Sequence, residues 1–194
     1  ILTLEGYEAD DILGTVAKRS QAAGVEVSVV SGDRDLLQLA DAHIKIRIPK
    51  TSRGSTEIYD YYPEDVKAQY QVTPAEFIDV KALMGDASDN IPGVPSIGEK
   101  TATAIIAAFG SIENARAHLD EVKPPRARKA LEEHYDMAQM SKELAAICTD
   151  CPVEFRYEDA RIENLYTPEA FREMKRLGFK TFLSRFDASV REAE

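Results

Sequence analysis

Seven carboxylates stand in three short clusters: Glu8, Asp10 and Asp11; Asp33 and Asp35; Asp86 and Asp89. Like charges this close repel one another, so such clusters are unfavourable unless a cation or protons compensate them. A hard divalent cation suits carboxylate oxygens, and Mg²⁺ takes such ligands while keeping several waters. Histidine and cysteine would suit another metal, but they form no comparable set. His118 and His134 lack ligand-type partners at useful spacing. Cys148 and Cys151 are a single C-x-x-C pair without a second pair or a placed histidine, and are read as incidental. Each acidic cluster also has a plainer reading. Glu8, Asp10 and Asp11 would complement the dipole at a helix start. Asp33 and Asp35 would cap the short helix after them.

The elements around the clusters can be read from periodicity. Ile12, Leu13, Val16 and Ala17 form an apolar stripe on a helix that begins at the first cluster and runs to Gly24. Val25 to Ser31 is a β-branched run after a glycine, predicting a strand that ends in Gly32-Asp33-Arg34-Asp35. A helix, a buried strand and another helix make an α/β pattern with a parallel sheet, where sites gather at the carboxyl ends of strands. Asp33 and Asp35 fall at such an end. His43–Pro49 alternates and predicts a second strand, paired as a hairpin with a third at Glu57–Tyr61. Lys50 and Arg53 in the connecting turn would touch phosphate or simply form a solvated tip. Pro63–Tyr70 is a short helix. Thr73-Pro74-Ala75-Glu76 opens another, which carries Phe77, Ile78 and Val80–Met84 into Gly85 and the third cluster.

After Asp89 comes Gly93-Val94-Pro95-Ser96-Ile97-Gly98, a tight hairpin with glycine at each end, and then a helix opening at Glu99-Lys100-Thr101. Glycines allow a backbone to approach phosphate closely, and the free N–H groups of a helix start face the anion. Gly93, Val94, Ser96, Ile97, Gly98, Lys100 and Thr101 are therefore candidate contacts to a nucleic-acid backbone, made without reading base sequence. Between Arg116 and Lys129 five basic residues against two acidic ones would extend that track or form a solvated face. A helix follows over Asp136–Ile147, and Val153–Phe155 is expected to return to the sheet as a strand. A last helix is capped by Thr167, with Phe179, Phe182, Leu183 and Phe186 packing beyond Gly178.

The 194 residues are 44% hydrophobic and 30% charged, ordinary for a globular chain with a real core. No apolar run reaches membrane-spanning length and no signal-peptide pattern opens the chain, so a cytoplasmic protein without a membrane partner is expected. The net charge of −10 argues against a general polyanion binder. Setting aside the seven clustered carboxylates leaves −3, so a local basic track is compatible with the total.

The run GDASDNIPGVPSIGEKTA, together with GYEADD and SGDRDLLQL, resembles the 5′-nuclease (5′-3′ exonuclease, flap endonuclease-like) domain of bacterial DNA polymerase I. The resemblance implies a PIN-like α/β fold with a partial, parallel-type sheet and an inserted helical helix-three-turn-helix DNA-binding subdomain. The expected divisions are 1–72 for the partial nuclease core, 73–150 for the helical subdomain, 151–187 for the return to the core and 188–194 for a tail or linker. It also implies two Mg²⁺ sites that Mn²⁺ could fill. Glu8 and Asp10 would help hold the catalytic ion, Asp33, Asp35, Asp86 and Asp89 would serve the second, and Asp11 would be an outer partner. The Gly93–Gly98 carbonyls would hold K⁺. The implied reaction is structure-specific hydrolysis of a 5′-flap or nicked duplex, leaving a 5′-phosphate and a 3′-hydroxyl, in replication and repair. In that family a strand with a further aspartate and a helical clamp precede the position of Ile1. The sequence therefore reads as an N-terminally truncated piece, with the activity expected of its parent protein, either a DNA polymerase I with a linked polymerase domain or a short stand-alone relative. A DNA-binding scaffold without catalysis and a PIN-type ribonuclease are the alternatives, and the hairpin disfavours the second.

Overall fold

The computed structural model describes residues 1–52 and 54–191. They form two compact units, Ile1–Val153 and Glu154–Glu194. In the first unit, α1 (Ala9–Ala22) leads to β1 (Val27–Val30), and a 3₁₀ turn (Asp35–Leu39) leads to β2 (Ile44–Ser52) and β3 (Ser55–Tyr61). β1 runs parallel to β2, with Val27 opposite Ile44 and Val30 opposite Arg47. β2 and β3 are the expected antiparallel hairpin, with Ile46 opposite Tyr61. Ile44, Ile46 and Ile48 share one face of β2 and are buried, as the two-residue period of a strand demands. Leu36 and Leu37 of the 3₁₀ turn are fully buried and belong to the same core. Packing of these two leucines fixes the turn that carries Asp33 and Asp35.

The helices α2 (Pro63–Tyr70), α3 (Pro74–Met84), α4 (Glu99–Phe109), α5 (Ile112–Ala117), α6 (Pro125–Glu133) and α7 (Tyr135–Ala145) complete this unit. α3 is the central one and packs on α4, α7 and the 3₁₀ turn. Its start is fixed reciprocally: the Glu76 N–H donates to Thr73 Oγ1 (3.3 Å) and the Thr73 N–H to Glu76 Oε2 (2.7 Å). Because α3 has neighbours on most sides, its polar residues are buried too. Asp79 accepts from the Ile112 N–H (3.1 Å) and the Lys142 ammonium (2.7 Å), tying α3 to α5 and α7. Lys142 also pairs with Glu113 at 3.0 Å. Partial burial would raise the Glu113 pKa, but its own main-chain N–H, Gln139 and Lys142 outweigh this and hold it at about 2. A depressed carboxylate contributes stability above its unfolded pKa near 4.5, and that contribution disappears as pH falls toward 2. Glu113→Gln should therefore cost under about 1 kcal/mol at pH 6, since the group is half exposed. It should cost much less at pH 2, where the carboxyl is about half protonated. Urea unfolding at the two pH values checks this, and equal losses at both would remove the pairing as the cause.

Val153–Phe155 is not a strand. The Cys151 and Val153 carbonyls are taken by the Arg19 guanidinium at 2.6 and 2.7 Å, so the end of the first unit at Val153 is clamped on α1 rather than laddered to the sheet. Lys50, expected in the connecting turn, lies instead within β2 opposite Glu57, with its ammonium over the Tyr59 ring at 4.5 Å, and Arg53 is outside the described residues. The second unit holds α8 (Pro168–Arg176), α9 (Lys180–Leu183) and α10 (Ala188–Arg191). Thr167 caps α8 through the Ala170 N–H (3.2 Å). Phe171 and Phe186 are buried with their rings edge-on at 5.3 Å, whereas Phe179 and Phe182 stay about half exposed, contrary to the packing expected of them. The last part of the expected 188–194 tail, 192–194, lies outside the described residues.

Candidate active site

The second and third acidic clusters meet beside α3. The Asp33 N–H donates to Ser31 Oγ (3.1 Å) and the Asp35 N–H to Asp33 Oδ1 (2.9 Å), folding Asp33-Arg34-Asp35 tightly after β1. The loop after α3 is closed by Asp86 and Ile91, whose main chains exchange hydrogen bonds of 2.9 and 2.8 Å. Asp35, Asp86 and Asp89 each bring one carboxylate oxygen within 4.8 Å of the others. Their side chains come from positions 54 residues apart in sequence, so tertiary packing and not local propensity assembles the group.

A residue with no role assigned from sequence sits among them. Lys81, only 6% exposed, places its ammonium 2.8 Å from Asp35 Oδ1 and hydrogen-bonded to Asp86 Oδ2. Burial pulls the lysine pKa down, but the two carboxylates outweigh it and raise it. Lys81 and the Ser88 hydroxyl and N–H hold Asp86 well below the usual carboxylate range. For Asp35, burial wins over Lys81 and the pKa rises. The signal in the sequence was a lone lysine inside the apolar run from Phe77 to Met84.

The first cluster faces the second. Asp10 is pushed up to about 6 by burial and then by the charges of Asp33, Asp35, Glu8 and Asp11. Glu8 is exposed at the start of α1. Asp11 receives the Cys148 N–H on Oδ1 (2.9 Å) and the Glu8 N–H on Oδ2 (3.1 Å), so it joins α1 to the 148–153 segment. Thr15 adds a second tie, accepting from the Cys151 N–H at 3.0 Å. Cys148 and Cys151 bring their sulfurs to 3.6 Å and the Cys148 thiol donates to Asp150 Oδ1 (3.1 Å), but among the described residues these side chains do not converge as a three-ligand group.

A carboxyl with a raised pKa binds a proton more readily in the folded than in the unfolded state. Its contribution is therefore destabilising, and grows as pH rises from about 3.8 through 6. Asp10→Asn should stabilise the metal-free chain at pH 7.5 by about 1 kcal/mol after allowance for solvent screening, or about 2–4 °C in Tm. At pH 3.5 it should have little effect. Thermal unfolding at both pH values is the check, and a loss of stability at pH 7.5 would contradict the repulsion.

The hairpin is anchored from beneath. Val94 and Ile97 are buried, and the Ile97 N–H closes a turn on the Val94 carbonyl (3.1 Å) around Pro95 and Ser96, with Ser96 at φ 71°. The Val94 N–H donates to the Leu83 carbonyl (2.8 Å) and the Gly93 N–H to Ser141 Oγ (3.1 Å). A side chain at Gly93 would strike the Gly85 backbone at 2.4 Å, whereas nothing lies within 4 Å of the same position on Gly98. Space for an approaching phosphate is thus open at Gly98, and at Gly93 it is filled by the chain itself. Gly98, Glu99 and Lys100 are exposed, Thr101 is half-buried, and among the described residues no side chain caps the start of α4. Arg126 donates to Ser96 Oγ (2.9 Å), bringing one residue of the basic Arg116–Lys129 stretch to the hairpin tip. A cleft of about 480 Å³ runs from Asp33, Asp35, Lys81 and Asp86 to Glu99 and Thr103 on α4, joining the acidic group to the start of that helix.

A family model described as the 5′-3′ exonuclease N-terminal resolvase-like domain matches residues 1–71, and one described as the 5′-3′ exonuclease C-terminal SAM fold matches residues 72–168. The chain belongs to the 5′-3′ exonuclease family. The two matched parts meet at the end of α2, where Gln71 takes a left-handed conformation. DNA polymerase I of Bacillus caldotenax is 47% identical over 98% of this chain and 22% of its own length. The chain thus spans about a fifth of that relative's length. Among solved structures it resembles bacteriophage T5 5′-exonuclease with divalent metal ions (zinc) bound, with TM-score 0.63 and 26% identity over 76% of this chain and 52% of that one. A bacteriophage T5 flap endonuclease in a pseudo-enzyme-product complex with DNA and metal ions gives TM-score 0.58 and 25% identity over the same shares. The mixed α/β unit and the helical subdomain read from the sequence agree with this exonuclease fold.

Proposed function

We propose that this chain supplies the second-cation ligands and the DNA grip of a structure-specific 5′-3′ exonuclease and flap endonuclease, the nuclease region of a DNA polymerase I-like parent. The observation that carries the reading is the convergence of Asp35, Asp86 and Asp89, with Asp35 and Asp86 lining a cleft that reaches Glu99 in the first turn of α4. The donor set is all carboxylate oxygen and already accommodates the positive charge of Lys81, which fits a hard divalent cation. Asp33, Asp35, Asp86 and Asp89 would hold one Mg²⁺ (or Mn²⁺), while Glu8 and Asp10 contribute to another. Asp11, with both oxygens already receiving main-chain N–H groups, would orient the start of α1 around them. The bound ions would supply an activated water and neutralise charge developing on the phosphate.

The remaining residues position the substrate. Gly93, Val94, Ser96, Ile97 and Gly98 shape the hairpin, and the N–H groups at Gly98–Lys100 with the Lys100 and Thr101 side chains would receive a duplex phosphate. Hairpin carbonyls would hold K⁺. The likeness to a T5 flap endonuclease solved with DNA and metal ions supports DNA as the substrate. The cytoplasm is the compartment where such an enzyme would act. The test is binding of a 5′-flap duplex by this chain. Affinity should fall steeply with salt and be indifferent to base sequence. Equal affinity for single-stranded RNA would point to a PIN-type ribonuclease instead.

A further inference from the structure

Lys81 is nearly as buried as its apolar neighbours on α3, yet it is charged and its ammonium stands on Asp35 and Asp86. Those are two of the three carboxylates whose oxygens converge within 4.8 Å. A buried carboxylate group without a counter-charge would repel itself apart or take up protons. Lys81 removes that penalty from within the chain. The same position creates a conflict. Asp35 and Asp86 would be ligands to a divalent cation, yet the ammonium already stands 2.8 Å from Asp35 Oδ1. Two positive charges competing for the same carboxylate oxygens repel strongly in a partly buried site. Lys81 also lines the cleft of about 480 Å³, which gives its flexible stem room to swing the ammonium away without unpacking α3.

We propose that Lys81 is an internal stand-in for the cation: it holds Asp35 and Asp86 together while the divalent ion is absent and withdraws when the ion binds. Lys81 is thus a positioning residue that keeps the site assembled and weakens its hold on metal. This rests on the cation reading of the acidic group given above.

The test uses Mn²⁺ alone and needs no turnover. Calorimetric titration of the wild-type chain and of Lys81→Met should show Mn²⁺ bound about tenfold more tightly by the variant, because a competing charge is gone. Metal-free Lys81→Met should melt below wild type, and saturating Mn²⁺ should recover the difference. The wild-type protein gives a second readout that does not depend on the variant folding. With diamagnetic Mg²⁺, the Lys81 ¹⁵Nζ resonance should be protected from exchange without metal and should lose that protection at saturation. Unchanged or weaker Mn²⁺ affinity in a folded variant would overturn the proposal, as would an Nζ signal unaltered through Mg²⁺ saturation. If neither ion binds wild type or variant, the cation reading itself fails, an outcome distinct from binding that leaves Lys81 in place.

Discussion

Gly93→Ala is expected to lower the unfolding free energy by about 3–6 kcal/mol, while Gly98→Ala leaves it within about 1 kcal/mol and weakens DNA binding. The two glycines bracket one hairpin but face different surroundings. At Gly93, φ is +64°, and an added Cβ would lie 2.4 Å from the Gly85 nitrogen and 2.7 Å from its Cα. Gly85 is equally constrained, with φ +72° and a Cβ position 2.8 Å from the Ile91 carbonyl. The backbones thus meet where neither can carry a side chain, and this contact sets Asp86 at its place beside Lys81. Backbone atoms cannot move aside as a flexible side chain can, so the cost is that of forced overpacking plus a left-handed alanine. Such a loss is a large part of the about 5–15 kcal/mol that holds a typical domain together. At Gly98 the backbone is extended and the Cβ position is empty, so the fold tolerates a methyl there. What the methyl would obstruct is the approach of a phosphate to the start of α4. Urea unfolding of both variants and flap-DNA binding by Gly98→Ala separate the two roles. A Gly98→Ala chain that binds DNA as tightly as wild type would remove the close approach, and a stable Gly93→Ala chain would remove the clasp.

Asp86→Asn should lower flap cleavage by the protein that carries this sequence by at least about 10²–10³-fold and, in contrast to Asp10→Asn, should also destabilise the metal-free chain. Asp86 is held well below its usual pKa, first by Lys81 and then by Ser88, so its charge stabilises the folded state at neutral pH. Replacing it leaves the buried ammonium with Asp35 as its remaining carboxylate, a loss of about 1–3 kcal/mol for one charged hydrogen bond. Asp10 lies on the other side of the balance, crowded by Asp33, Asp35, Glu8 and Asp11. Two carboxylates of one site should therefore shift thermal stability in opposite directions at pH 7.5. Thermal melts of both variants beside single-turnover cleavage provide the comparison. Parallel shifts in Tm would mean that Lys81 does not neutralise the group as the distances imply.

Much of this site was legible in the sequence because its local signals and its fold agree. The β-branched run before Asp33, the capping box at Thr73 and Glu76 and the alternation of β2 each produced the element expected. The acidic residues stood out by clustering. What periodicity cannot show is which charges face each other across elements. The sequence of α3 names no partner for Lys81 or Asp79, and only the surroundings of α3 bury them and force them to find partners. The same limit applies to glycine. Gly93 and Gly98 are identical as symbols, and the Gly85 backbone that occupies the space beside one of them is visible only in three dimensions. The expected strand at Val153–Phe155 failed because Arg19, 134 residues earlier, captures the Val153 carbonyl.

The most direct measurement is 5′-flap cleavage by the protein that carries this sequence, in Mg²⁺ and in chelator, beside its Asp33→Ala/Asp86→Ala variant. The expected result is Mg²⁺-dependent product with a 5′-phosphate and a 3′-hydroxyl, absent in chelator and in the variant. A variant that cuts the flap as fast as wild type, or a wild type that binds the flap in a salt-sensitive way and never cuts it, would contradict the proposal that these carboxylates form a nuclease centre.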